Sequence, residues 1–193
     1  TPLELRRALK KNTNFNYLFF LHWNWKVPQK IFEKHECICF HMTDLPYGRG
    51  GSPLQNLILK RKKDTILSAF KMTKEIDGGP IYFKKRMLLN GRAENIYKRA
   101  DKLSWKIIHW IIQNKPIPKP QKGKVIHFNR RKPKQSLMPK KAKLSEIYDF
   151  IRMLDAPTYP SSFIHHGDFT IEFSHSKLND NFVEARVMIK NKI

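Results

Sequence analysis

The chain has 193 residues, 40% of them apolar, with 38 Lys and Arg against 16 Asp and Glu. The apolar share suffices for a real core, and thirteen Phe, six Tyr and four Trp exclude general disorder. No apolar run reaches the roughly 20 residues of a membrane-spanning helix, and the net charge of +22 attracts polyanions: RNA, DNA, anionic membrane or phosphorylated metabolites.

In chain order, Leu3 to Lys11 predicts an amphipathic helix with Leu5, Ala8 and Leu9 on one side. Phe15 to Leu21 (FNYLFFL) is dense enough for a strand buried on both faces. Pro28 opens a short helix over Gln29 to Glu33. Cys37 to Phe40 (CICF) is a second buried strand, with His41 at its C-terminal end. Met42 to Gly51 is rich in Gly and Pro and reads as loop. Pro53 starts a helix through Lys60. Thr65 to Lys71 and Ile81 to Met87 form two more strands around the Asp77-Gly78-Gly79 turn. Ala93 to Gln113 is a long helix striped by Ile96, Ala100, Leu103, Ile107 and Ile111.

Asn114 to Lys124 (NKPIPKPQKGK) has linker composition, and a second basic stretch runs from Arg130 to Lys143. Leu144 to Leu154 is a helix with Leu144, Ile147, Tyr148, Ile151 and Leu154 inward, and His165-His166 follow in a loop-like stretch. Phe169 to Ser174 and Val183 to Ile189 are strand-like. The expected organisation is an α/β domain over 1–113, a basic Pro-rich linker over 114–143, and a small α+β C-terminal module over 144–193. The sheet is expected to be mostly parallel, Rossmann-like and flanked by helices. Because such a domain ordinarily opens on a strand and this chain opens on a helix, a leading strand is expected to be missing.

Cys37 and Cys39 have neither zinc nor redox spacing and are read as free thiols of a reducing, cytoplasmic setting. Eight His without ligand spacing predict no metal site. No Gly-rich phosphate loop or dinucleotide fingerprint occurs. In open α/β sheets ligands sit beyond the C-terminal strand ends, where His41 and Asp77 are expected to meet. A neutral His and a carboxylate there suit proton transfer and oxyanion stabilisation.

The strings around these residues carry a resemblance. His41-Met42-Thr43-Asp44-Leu45-Pro46-Tyr47-Gly48-Arg49-Gly50, followed by Pro53, resembles the H-x-S-L-L-P-x-x-R-G-x-x-P motif of folate-dependent formyltransferases. Thr65, Met72, Asp77, Gly79 and Ile81 resemble that family's second motif. Arg130-Arg131-Lys132-Pro133 and Ile151-Arg152-Met153-Leu154-Asp155-Ala156-Pro157, then Tyr159-Pro160, resemble its C-terminal module. The string around Asp44 is most similar to the branch that formylates amino sugars in pseudaminic acid pathways; methionyl-tRNA formyltransferases usually carry Leu at that position.

The resemblance implies a formyl group moving from 10-formyltetrahydrofolate to the amine of a nucleotide-linked amino sugar. His41 and Asp77 would assist the reaction. Cys39 stands where the family has an Asn oxyanion donor, and a thiol donates weakly. Phe70 replaces the His of the second motif. Trp25 and Val27, with Asp77, are the expected folate contacts. Thr43 and Arg49 are expected toward the substrate, although Arg49 could equally brace its own loop. The alternative acceptor is methionyl-tRNA, which suits the +22 charge and the basic stretch Lys115 to Lys143. A third reading is a degenerate paralogue that binds nucleic acid. A homodimer is compatible with each.

Overall fold

The structure is a computed structural model and describes residues 1–11, 14–157 and 159–192. Contacts divide it into two compact units: Thr1–Gly50, Ile66–Arg86 and Ala100–His127 form one, and Gly51–Thr65, Met87–Arg99 and Phe128–Ile193 form the other.

The first unit opens with helix α1 (Pro2–Lys11), whose Leu5 and Leu9 pack on an apolar cluster. Strand β1 (Leu18–Phe20), helix α2 (Gln29–Lys34) and strand β2 (Cys37–His41) follow. The cluster is built from buried Phe20, Val27, Ile31 and Cys37, with Trp23, Cys39 and Met72 against it. Cys37 and Cys39, two residues apart on one strand, share a face of β2. Both are free thiols.

A short strand β3 (Tyr47–Gly50) forms where the glycines predict loop. Its partner is β6 (Ile126–Phe128), far along the chain in the basic stretch. Gly48 and Gly50 hold φ of 75° and 103°, a left-handed backbone that reads as turn in sequence.

Strands β4 (Asp64–Lys71) and β5 (Ile81–Leu88) complete a sheet of order β1-β2-β4-β5. The sheet is mixed. β1 and β2 are parallel, Leu18 beside Cys37, whereas β2 and β4 are antiparallel, with Cys39 opposite Phe70 and His41 opposite Ser68. The parallel β1–β2 pair is joined by the crossover through α2, which is long enough to return the chain to its starting side. Phe70 is 2% exposed, so the position where the family has a second His is packing here.

Helix α4 (Ala93–Asn114) buries Ile96, Ala100, Ile107 and Ile111, as its stripe predicts, and Ile108 in addition. In the second unit, helix α3 (Pro53–Leu59) buries Leu54, Leu57 and Ile58, and Gln55 donates to the Met153 carbonyl at 3.1 Å. Helix α5 (Leu144–Arg152) buries Phe150 and Ile151 but leaves Leu144 exposed at its first turn, contrary to the expected stripe. Strands β7 (Ser162–His166), β8 (Phe169–Leu178) and β9 (Val183–Asn191) form an antiparallel sheet in sequence order. His165 and His166 thus lie on a strand, not in a loop. No helix among the described residues is long and apolar enough to cross a membrane.

Candidate active site

His41 ends β2 and is 8% exposed. Its Nε2 lies 2.8 Å from the Gly48 carbonyl. A carbonyl only accepts, so in the neutral ring Nε2 carries the proton and Nδ1 keeps its lone pair. Nδ1 faces Asp77 Oδ2 at 3.8 Å, with the two side chains 10% and 19% exposed. A ring nitrogen and a carboxylate, both largely buried, therefore face each other.

Asp77 reaches this place by a route that the sequence does not reveal. Because β4 is antiparallel to β2, its last residue, Lys71, lies beside Ile38 at the start of β2. The C-terminal end of β4 is thus remote from His41, and the expectation that both residues stand at C-terminal strand ends is corrected. The segment after Lys71 turns back along β2 to bring Asp77 to His41. Its base is closed by Met72 N–H donating to the Cys37 carbonyl at 2.7 Å and Lys71 N–H to Pro80 at 2.9 Å. Gly79 passes so close to β4 that a Cβ would lie 1.8 Å from the Lys71 oxygen. Asp77 itself adopts φ of 52°, a left-handed conformation costing a non-glycine residue about 1–2 kcal/mol. Its Oδ2 accepts the Gly50 N–H at 2.8 Å.

Cys39 shares the His41 face of β2. Burial, and then the nearby Asp77 charge, push its thiol far above the ordinary range. Burial, and then Glu36, push Cys37 up to about 12. Neither supplies a thiolate at neutral pH.

Thr43 is fully buried. Its hydroxyl donates to Gly48 O at 3.4 Å and its carbonyl accepts Ser68 Oγ at 2.7 Å. That corrects the expectation of a substrate contact: Thr43 holds the loop from within. Arg49 is 5% exposed and braces the site. Its Nε and Nη2 donate to Gln121 Oε1 at 3.1 and 2.8 Å, and Nη1 to Glu75 at 2.5 Å. Of its two sequence roles, the loop-bracing one has these contacts, and its guanidinium is spent on them rather than turned to a substrate.

Val27 is 5% exposed inside the apolar cluster, so its side chain serves packing. Trp25 is 49% exposed and meets Trp23 edge-on at 5.2 Å. Trp23 packs on the cluster that also receives Cys39. Its indole Nε1 is buried and has no acceptor among the described residues. No group of three or more His, Cys, Asp or Glu is arranged to hold a metal among the described residues.

Gln121 and Glu75 escape a sequence reading altogether. Gln121 lies in a Pro- and Lys-rich run whose composition signals a tether. Glu75 is one of several charges in an exposed turn.

A profile of the methionyl-tRNA formyltransferase C-terminal domain matches residues 133–190. Methionyl-tRNA formyltransferase of Rickettsia bellii is 23% identical over 205 residues, covering 99% of this chain and 67% of that protein. Other curated relatives are spanned less fully, down to 22% of their length. The solved structure of methionyl-tRNA formyltransferase from Clostridium thermocellum is 43% identical with a TM-score of 0.96, covering 99% of this chain and 85% of that one. A 4-N formyltransferase from Francisella tularensis shares the fold at 21% identity and a TM-score of 0.66, over 86% of this chain and 72% of that one. With the likeness running through both units and both motifs, the chain belongs to the formyltransferase family.

Proposed function

We propose that the chain transfers a formyl group from 10-formyltetrahydrofolate to the amino group of methionyl-tRNA. One observation carries the choice of acceptor: 43% identity, over 99% of the chain, to an enzyme that bears that name. The solved amino-sugar relative stands at 21%. The residue that favours amino sugars in sequence, Asp44, has a local explanation, since its carboxylate pairs with Lys84 Nζ at 2.6 Å. The net charge of +22 suits an RNA acceptor.

Folate, when bound, supplies the formyl carbon. The residues present fit it. Trp25 offers an open aromatic face, and Trp23 an unspent indole donor beside it. A flat heterocycle with nitrogen and oxygen acceptors satisfies both.

His41 acts as the base. As the amine nitrogen bonds to the formyl carbon it sheds a proton, which Nδ1 takes. Asp77, 3.8 Å away, stabilises the imidazolium that results. That cation in turn balances negative charge growing on the formyl oxygen. His41 then returns the proton to the departing nitrogen of the donor, so charge and protons balance over the cycle. Cys39 contributes a neutral, weakly donating thiol where a stronger amide donor is usual.

The purified chain is incubated with 10-formyltetrahydrofolate and either methionyl-tRNA or a nucleotide-linked amino sugar, and products are weighed by mass spectrometry. Formyl-methionyl-tRNA with an unmodified sugar is the expected result. Faster formylation of the sugar, or no transfer to either, overturns the reading.

A further inference from the structure

We infer that Gln121 is the positioning residue for the Asp77 carboxylate, a role that rests on the formyl-transfer reading above. The Gln121 amide joins three segments of the first unit. Its Nε2 donates to the Asp77 carbonyl and to the Gly79 carbonyl, each at 2.8 Å. Its Oε1 accepts from Arg49 Nε and Nη2 at 3.1 and 2.8 Å.

Every hydrogen-bonding position of the amide is therefore used: two N–H groups and two lone pairs. The orientation is also forced. Carbonyls only accept and a guanidinium only donates, so the reversed amide would face four mismatched partners at once. A side chain in a Pro- and Lys-rich run has no cause to be so committed unless its partners need it.

What it grips is the backbone just C-terminal to the Asp77 side chain. The left-handed residue 77 and the following Gly79 are pinned through their oxygens, two residues apart. From that anchored turn the carboxylate reaches Gly50 N–H at 2.8 Å and faces His41 Nδ1 at 3.8 Å. The other half of the amide ties this turn to Arg49 of β3, the strand that also supplies the Gly48 carbonyl to His41. The imidazole and the carboxylate are thereby referenced to the same strand. Glutamine is the side chain that fits: glutamate loses both donors to the turn, and alanine loses all four bonds.

The test uses the full chain with Gln121→Ala and Gln121→Glu. Both are expected to lower kcat by about 10²-fold, the scale of a displacement near 1 Å at a catalytic group. The KM for the folate donor should stay within about threefold, a small fraction of that loss. A second readout needs no turnover. In the wild type the Gly50 amide proton, followed by NMR, should track the protonation of Asp77. In both variants that dependence should vanish while the dispersed spectrum of a folded protein persists. Wild-type kcat in both variants, or an unchanged Gly50 response, overturns the inference. An inactive wild type instead overturns the functional reading, while the Gly50 amide still decides whether Gln121 aims Asp77.

Discussion

His41 sets its Nε2 against the Gly48 carbonyl at 2.8 Å and turns its Nδ1 to Asp77 Oδ2, 3.8 Å away. The separation is too long for a hydrogen bond and short enough for a carboxylate to stabilise an imidazolium once it forms. Replacing His41 by Ala, or Asp77 by Asn, is expected to reduce formyl transfer by about 10²–10⁴-fold, the usual weight of a general acid–base group. Circular dichroism should show folded protein in both cases. Single-turnover rates near wild type would remove these residues from the reaction.

The loop after β1 separates binding from packing. Trp25→Ala removes an exposed ring and should weaken folate binding by about 1–3 kcal/mol, the range for a base stacked on an aromatic side chain. Val27→Ala removes two buried methyls and should cost roughly 1.5 kcal/mol of stability. Isothermal titration and thermal melts should give opposite rankings of the two variants. Equal effects on affinity would return Val27 to the ligand.

The thiols of Cys37 and Cys39 should resist alkylation by iodoacetamide at about pH 8 in the folded protein and react in urea, where thiols ionise near pH 8.5. Burial raises both, so the folded state binds the thiol protons more tightly than the unfolded chain does. Their contribution to stability is whole below about pH 8.5 and declines as pH climbs from there toward 12. Mass spectrometry of alkylated peptides, with melts between neutral and alkaline pH, checks both statements.

Gly79→Ala should empty the site without touching a catalytic group. The added Cβ meets the Lys71 carbonyl at 1.8 Å, so the turn must shift. A loss of roughly 1–3 kcal/mol is the common cost of such overpacking. Activity should fall further than stability, because Asp77 rides on the same turn. An alanine variant with full turnover would show that the turn adapts.

Association with methionyl-tRNA should weaken steeply with salt, whereas the KM for the folate donor should change little. Each phosphate neutralised by Lys or Arg adds close to one unit to the log–log slope. Titration of binding between low and moderate ionic strength measures it. A flat response would remove the backbone phosphates from recognition.

Much of this arrangement can be read from the residues alone. CICF is followed by a histidine that does sit at the end of the strand, and α4 keeps most of its stripe because period and burial agree. Strand β3 is hidden because Gly48 and Gly50 mimic a loop, and because its partner β6 begins at Ile126, far beyond the reach of local pattern. β7 is hidden by its polar ends, Ser162 and His165-His166. The direction of β4 is a property of pairing rather than of composition, which is why the path to Asp77 could not be foreseen. Arg49 was legible as a member of a motif but not in its partners, since Gln121 lies 72 positions away.

The opposed directions of β2 and β4 give the side chains of His41 and Asp77, the pair proposed to react, unequal mechanical footing. The imidazole is mounted on the ladder itself, and moving it means breaking strand pairing. The carboxylate is carried by a strap laid back across that ladder and fastened at a few points. Adjustment of the gap for an incoming amine therefore falls to the strap, so loosening or tightening its fastenings can tune the rate while the sheet beneath stays as it is.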